Sequence, residues 1–176
     1  MKTKQMLKML KIKRILLPFF LVLISLNAVG QDQSNKSSAG GPATAHELIG
    51  YWKMIALPNP KVNKVNPWPQ NYQWFEFTKD GKINSMMSLE NKEYSIQELH
   101  TVFEVFPKKR VPNYKVNGSF VTIDNPENKN YLEIWGTNIF AKDIEGIAKK
   151  GDLMMTLDDG TQTGKVVYYR LLRRVK

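Results

Sequence analysis

The residue types that most often perform catalysis or bind metals are scarce in this chain. It has no cysteine and two histidines, His46 and His100, both within segments that carry helix-start signals. Neither histidine is paired with a second one at the i, i+4 spacing of helical zinc sites. We therefore interpret both as surface or capping residues, and the sequence predicts neither a catalytic residue nor a metal site.

One acidic segment, Asp158-Asp159-Gly160, has the residue types of a calcium-binding loop. The alternating D-x-D-x-D-G frame and the distal glutamate of such loops are missing, so we interpret the segment as a turn. The chain also lacks the G-x-S-x-G nucleophile motif and a glycine-rich phosphate loop. We expect a protein that is not an enzyme and that uses no cofactor.

The first thirty residues have the pattern of a secretory signal peptide. Six basic residues precede an apolar run at 15–26, and Ala28-Val29-Gly30 places small residues at the cleavage positions before Gln31. The apolar run is shorter than the roughly 20 residues of a transmembrane helix, and Pro18 interrupts it. Without a cysteine at the cleavage point there is no lipid attachment site. We expect an exported protein, periplasmic or extracellular, with no membrane span after cleavage.

The high positive charge comes largely from this leader. Because six of the 26 basic residues belong to it, cleavage lowers the net charge from +10 to +4. A charge this modest makes nucleic acid an unattractive partner. The remaining dense basic cluster lies at the C-terminus, from Arg170 to Lys176, and we interpret it as a solvated strand end.

Residues 31–43 are rich in serine, glycine and asparagine and show no apolar periodicity, which predicts a flexible linker. Residues 44–176 then form one domain of ordinary size. A capping box at Thr44–Glu47 starts a short turn, and a second box at Ser95–Glu98 opens an apolar pattern of helical period. We therefore predict an amphipathic helix over 95–105.

Alternating apolar and polar residues predict eight strands in the domain. They cover residues 51–57, 71–78, 82–89, 113–116, 119–124, 130–136, 152–157 and 165–173. Short links, two of them with the hairpin dipeptides Asp80-Gly81 and Asn117-Gly118, favour an all-β fold. The expected arrangement is an antiparallel up-and-down barrel of about eight strands with one short amphipathic helix. A β-sandwich is the alternative.

The predicted domain resembles the lipocalin-like domains of secreted bacterial proteins, within the broader calycin group. The matching features are the capped turn into Gly50-Tyr51-Trp52, the proline-rich loop after the first strand, the Phe75-Glu76-Phe77 strand into Asp80-Gly81, and Tyr168-Tyr169-Arg170. The predicted helix at 95–105 departs from the usual lipocalin order, where a helix comes late or is absent.

The resemblance implies structural roles for the Gly-x-Trp motif. In lipocalin-like domains the motif tryptophan packs across the closed end of the barrel, under an arginine near the end of the last strand. Gly50 and Trp52 match the motif, and Arg170 or Arg173 can be the arginine. Stacking of a guanidinium group on an indole ring is favourable by about 0.5–2 kcal/mol.

The inner face of the predicted barrel supplies the candidate ligand site. If Trp52 points inward, strand alternation turns other apolar side chains toward the same interior. The candidate lining residues are Phe75, Phe77, Met87 and Met155. Methionine and aromatic side chains suit adaptable apolar pockets, and the same residue types also fill the cores of small barrels. In the loop at 58–70, Trp68 is the candidate lid contact.

A polar contact for the ligand also follows from the resemblance. In the related fatty-acid-binding proteins an arginine and a tyrosine hold the ligand carboxylate, and Tyr168 and Arg170 are the corresponding pair. They face inward if the even-numbered residues of the last strand point into the barrel. If the odd-numbered residues do so instead, Val167, Tyr169 and Leu171 form the core face.

Two functions remain open from the sequence. The first is an exported barrel that binds a small hydrophobic or amphipathic ligand. The second is a non-catalytic interaction protein with a filled core, whose binding surface is the loop at 58–70.

Overall fold

The computed structural model of the protein describes residues 40–55, 72–158 and 166–176. The strands are β1 (Gly40–Gly41), β2 (Gly50–Ile55), β3 (Tyr72–Phe77), β4 (Ile83–Ser88), β5 (Asn113–Asn117), β6 (Phe120–Asn125), β7 (Asn128–Phe140), β8 (Leu153–Asp158) and β9 (Val166–Arg174). The helices are α1 (Ala45–Leu48), α2 (Ile96–Glu104) and a 3-10 turn at Lys108–Arg110. The predicted signal peptide, most of the predicted linker and the loop at 58–70 with Trp68 lie outside the described residues.

All nine strands belong to one antiparallel sheet. Its order is β4-β3-β2-β9-β8-β7-β6-β5, so β2 pairs with β9 to join the first and last parts of the chain, and β1 pairs with β7. The eight longer strands follow a meander that curls through 247° into a half-barrel. This confirms the predicted antiparallel up-and-down fold. It excludes the sandwich, which needs two packed sheets.

Strand alternation divides the side chains between an inner and an outer face of the sheet. The register pairs Trp52 with Phe75 and Val121 with Trp135 on the inner face. The buried inner cluster includes Trp52, Phe75, Phe77, Ile83, Tyr114, Val121, Ile123, Trp135, Leu153, Met155, Tyr168 and Leu172. The predicted inward orientation of Phe75 and Phe77 in β3 and of Met155 in β8 is therefore confirmed.

The end of β4 differs from the sequence prediction. The predicted strand covers residues 82–89, but β4 stops at Ser88 and Leu89 is 73% exposed. The Ser88 hydroxyl accepts a hydrogen bond from the Glu90 N–H at 3.0 Å. This local side-chain bond replaces the next ladder bond and ends the strand.

The folded domain begins earlier than predicted, because residues 40–43 belong to it rather than to the linker. Gly40 and Gly41 pair with Phe140 and Ile139 of β7. Ala43 is buried in the inner core, and its N–H donates to the Thr137 hydroxyl at 3.3 Å. The sequence does not predict β1, because two glycines have no side chains that could show the alternation typical of a strand.

Helix α2 confirms the helix that its capping box predicts. The Ser95 hydroxyl accepts from the Glu98 N–H at 3.2 Å, and the Glu98 carboxylate accepts from the Ser95 N–H at 2.8 Å. Leu99 and Phe103 are buried in a second apolar cluster with Trp74 of β3. Trp74 alternates with the inward Phe75, so α2 packs on the outer face of the sheet and leaves the meander order unchanged.

Strands β4 and β5 are the two edges of the sheet and meet at one corner. There the Ile83 N–H donates to Pro112 O at 3.0 Å, and the Tyr114 N–H donates to Gly81 O at 2.7 Å. Farther along β4, Ser85 and Met87 lie on the inner face, yet Ser85 is exposed and Met87 is 40% exposed. As far as residues 40–55, 72–158 and 166–176 show, the interior of the half-barrel is therefore open to solvent beside β4.

Candidate functional site

Trp52 is the centre of a packed cluster where α1 leads into β2. Its ring is fully buried, and its Nε1 donates to Leu48 O of α1 at 2.7 Å. The guanidinium group of Arg174 stacks on this ring, with Cζ 4.3 Å from the ring centroid. Arg174 also donates to Ile49 O at 2.7 Å and to Glu47 O. Trp52 and Arg174 together fix the turn that leads into β2.

This arrangement corrects the assignment of the stacking arginine to Arg170 or Arg173. In β9, residues 170, 172 and 174 share the inner face, and Trp52 pairs with Arg174 in the sheet. Arg173 points to the other face, where its Nε and Nη2 donate to Asp152 at 3.0 and 2.8 Å. The Asp152 hydrogen bond raises the pKa of Arg173 above its ordinary value. Arg173 therefore secures β9 to the residue just before β8.

Tyr168 and Arg170 both point into the half-barrel. Arg170 is 4% exposed, and its Cζ lies 4.4 Å from the ring centroid of Trp135 and 5.0 Å from that of Phe75. It also hydrogen-bonds to the Tyr168 hydroxyl. Burial lowers the pKa of Arg170 to about 10, while the charge of Glu133 works in the opposite direction. A cation is thus held deep in an otherwise aromatic interior.

Glu133 of β7 supplies the opposing charge. Its carboxylate accepts from the Trp135 Nε1 at 2.7 Å and from the Tyr131 hydroxyl. Burial, followed by the hydrogen bond to Glu133, raises the pKa of Tyr131. Tyr131, Glu133 and Trp135 alternate along β7, so all three belong to the inner face. The interior therefore holds a polar cluster of Arg170, Glu133, Tyr131 and Tyr168.

A cavity of about 70 Å³ lies between this polar cluster and the open side beside β4. Its wall combines Phe75, Ile83, Met87 and Ile123 with the polar residues Gln73, Ser85, Tyr131, Glu133 and Arg170. Pockets that enclose a whole drug-sized ligand measure about 300–1,000 Å³. This cavity has room for the end of a ligand or for a few water molecules.

Gln73 contributes an unsatisfied hydrogen-bond donor to the cavity. Its side chain is 1% exposed, and within the described ranges its Nε2 has no hydrogen-bond partner. Burying an amide N–H without a partner costs about 1–3 kcal/mol. Gln73 Nε2 is a donor, so the missing partner is an oxygen acceptor such as a carbonyl, a carboxylate or water.

The structure brings together three of the six predicted ligand-site residues. Phe75, Met87 and Arg170 line the cavity, whereas Phe77 and Met155 are packed in the core and do not line it. Trp68 lies outside the described residues. Sequence analysis missed Gln73, Tyr131 and Glu133. The alternation of Gln73 with Phe75 and Phe77 was the available signal, and it marks a polar residue at an inner-face position.

Two further findings concern residues 40–55, 72–158 and 166–176. No group of three or more histidine, cysteine or acidic side chains in these ranges could hold a metal ion. No helix in the same ranges is both long and apolar enough to cross a membrane.

Comparison of the chain with known protein families, with curated proteins and with solved structures finds no match. The curled antiparallel sheet is consistent with a lipocalin but is not specific to that family. Function must therefore be argued from the site itself.

Proposed function

We propose that this protein is a non-catalytic, lipocalin-like binding protein whose half-barrel holds the oxygen-bearing end of a small amphipathic ligand. The observation that carries the proposal is the interior cavity in which the Gln73 amide and the Arg170 guanidinium face an apolar wall. Two donors together with Met87, which lies directly opposite Gln73 in the β3–β4 pairing, match a ligand with an acceptor group and an apolar tail.

The dimensions of the cavity define how such a ligand binds. About 70 Å³ accommodates a carboxylate or carbonyl group and the adjoining carbons. The tail then leaves the half-barrel beside Met87. One edge of β4 pairs with β3, and the tail passes along the other edge, where β4 is not part of a strand ladder among the described residues. Burial of about 100 Å² of apolar ligand surface contributes roughly 2.5 kcal/mol. Most of the specificity therefore comes from the hydrogen bonds at the polar end.

The test uses octanoate, methyl octanoate and octylamine as probes of one chain length. Binding is measured by calorimetry for the wild type and the variants, and in ¹⁵N-labelled wild-type protein it is also followed by the side-chain amide resonances of Gln73. We expect the acid and the ester to shift these resonances and the amine to leave them unchanged. Gln73→Leu removes the donor at similar size and should abolish binding of both oxygen-bearing probes. Gln97→Leu, an exposed position on α2, is the matched control. Equal shifts with octylamine, or none with any probe, would contradict the proposal.

The second candidate function is a protein-binding role with a filled core. The small volume of the interior cavity favours it, because bulky side chains such as Trp52, Trp135 and Met155 already occupy the core. Absence of binding by all three octyl probes is the result that this candidate predicts. Its proposed contact surface, the loop at 58–70, lies outside the described residues.

We also propose that the protein is exported, on the strength of the basic and apolar segments and the small residues before Gln31. N-terminal sequencing of protein recovered from the periplasm or the medium should give a chain that starts at Gln31. Recovery of the chain with Met1 intact would contradict export by cleavage.

A further inference from the structure

A cleft of about 280 Å³ lies on the outer face of the sheet, between β3, β4 and the C-terminal half of α2. It contains the carboxylates Glu76, Asp80 and Glu104, the rings Phe103 and Phe106, and Asn84. Glu76 and Asn84 are cross-strand neighbours on the outer face, opposite to the face of Phe75. This outer cleft is therefore separated from the interior cavity by the sheet.

Hydrogen bonds fix two of its carboxylates in place. The Tyr51 hydroxyl lies 3.1 Å from Nδ1 of His100 and also bonds to Glu76. Nε2 of His100 lies 3.0 Å from the Glu104 carboxylate. The Tyr51–His100 pair therefore lies between Glu76 on β3 and Glu104 on α2.

Asn84 presents an acceptor to the outer cleft. The residue is 8% exposed, and its Nδ2 donates to Glu76 Oε2 at 2.6 Å. This bond fixes the amide orientation, since the reverse orientation would place an oxygen against a carboxylate. In the part of the chain that the structure describes, Asn84 Oδ1 has no hydrogen-bond partner. The buried oxygen therefore lacks a donor, which a ligand or a water molecule can supply.

The charge of the outer cleft favours a cationic donor. Three carboxylates and two lysines, Lys82 and Lys108, line the outer cleft, so acidic side chains outnumber the lysines. Lys82 directs its Nζ to Asn113 Oδ1 of β5 at 2.6 Å. Phe103 and Phe106 meet edge to face at 5.5 Å and give the cleft an apolar wall. Aromatic faces attract cations by about 0.5–2 kcal/mol.

We propose that the outer cleft binds a small primary amine in its ammonium form, with an apolar or aromatic body. The ammonium group donates to Asn84 Oδ1 and to the carboxylates of Glu76 and Glu104, while the body packs on Phe103 and Phe106. A volume of about 280 Å³ suits a ligand with a single ring. This site is independent of the interior cavity and extends the proposed function to a second class of ligand.

The probes are benzylamine, benzyl alcohol and benzoate, which share one ring and differ in charge. Binding to the full protein is measured by calorimetry and by the Asn84 side-chain amide resonances. We expect benzylamine to bind at least tenfold more tightly than benzyl alcohol and benzoate not to bind. Equal affinity for the amine and the alcohol, or no shift of the Asn84 resonances, would overturn the proposal.

Two variants distinguish binding of benzylamine in the outer cleft from non-specific attraction of the amine to carboxylates elsewhere on the protein. Glu104→Gln removes a rim charge with little change of shape, because the Glu104 side chain is 65% exposed. It should weaken benzylamine binding at least threefold and leave benzyl alcohol binding unchanged. Glu145→Gln makes the same change at an exposed residue outside the outer cleft and should have no effect. Equal weakening by both variants would overturn the proposal.

Discussion

Gly50 leaves open the space beside the guanidinium group of Arg174. A Cβ atom at position 50 would lie 2.7 Å from Arg174 Nη1, and Gly50 has a φ of +123°. Arg174 can therefore reach the Trp52 ring and the carbonyls of Glu47 and Ile49 only because position 50 has no side chain. This relationship explains in physical terms why a glycine precedes the tryptophan by two residues.

Replacement of Gly50 by alanine should destabilise the domain by about 1.5–5 kcal/mol. Backbone strain at positive φ contributes about 1–3 kcal/mol, and displacement of Arg174 from the indole ring adds about 0.5–2 kcal/mol. Gly118→Ala is the control, because Gly118 also has a positive φ but a Cβ atom added there would meet no atom within 4 Å. Urea unfolding measures both variants. Equal destabilisation by the two would show that Arg174 does not depend on Gly50.

Truncation of Trp52 to alanine should cost about 3–5 kcal/mol, because the ring is fully buried beneath Arg174. That is a large share of the roughly 5–15 kcal/mol expected for a domain. Trp52→Phe, which keeps an aromatic face but loses the bond to Leu48 O, should cost less. Thermal melting follows both variants. A Trp52→Ala melting temperature within a degree or two of the wild type would contradict the role of this residue at the centre of its packed cluster.

Asp152→Asn should destabilise the domain by about 1.5–3 kcal/mol. The Asp152 carboxylate is buried and accepts from Arg173 and from the Lys149 N–H at 2.7 Å. Hydrogen bonds to charged groups contribute about 1.5–3 kcal/mol each when they are lost. Asp143→Asn changes an exposed carboxylate that accepts from the Lys150 N–H, and it should cost less. Similar unfolding midpoints for the two variants would argue against the Arg173–Asp152 link.

Stability should fall as the pH rises above 10. Burial raises the pKa of Tyr51, Tyr114, Tyr131 and Tyr168 above the ordinary value of 10.0. Between 10 and these raised values the native protein binds more protons than the unfolded chain, so unfolding becomes easier with increasing pH. The pKa values of Arg170 (about 10) and of Arg174 are lowered by burial and act in the opposite direction, but these are two groups against four.

Absorbance at 295 nm distinguishes these tyrosines during an alkaline titration. We expect part of the tyrosinate signal to appear together with the loss of near-ultraviolet circular dichroism, as the buried hydroxyls ionise on unfolding. Tyr131→Phe should remove one of these late ionisations. A single tyrosine transition near pH 10, with the fold intact, would contradict the buried hydrogen-bonded hydroxyls.

The local structure of this protein could be predicted from its amino-acid sequence. Alternation at period 2 predicted the strands, because each strand needs one apolar face. The Ser95–Glu98 capping box predicted the start of α2, because both hydrogen bonds form within one turn. The Asp80-Gly81 and Asn117-Gly118 dipeptides predicted the hairpins. Together these signals were sufficient to predict that the strands follow one another in an up-and-down meander.

Which side chains meet depends on the tertiary structure. Arg170, Arg173 and Arg174 are all in β9, and their roles depend on parity and on their position along the strand, which the neighbouring strands β2 and β8 set. Arg174 therefore stacks on Trp52, Arg173 binds Asp152, and Arg170 enters the interior. Gln73 and Glu133 are 60 positions apart in the chain, so no local pattern could place them in one cavity. Only the curl of the sheet brings them together.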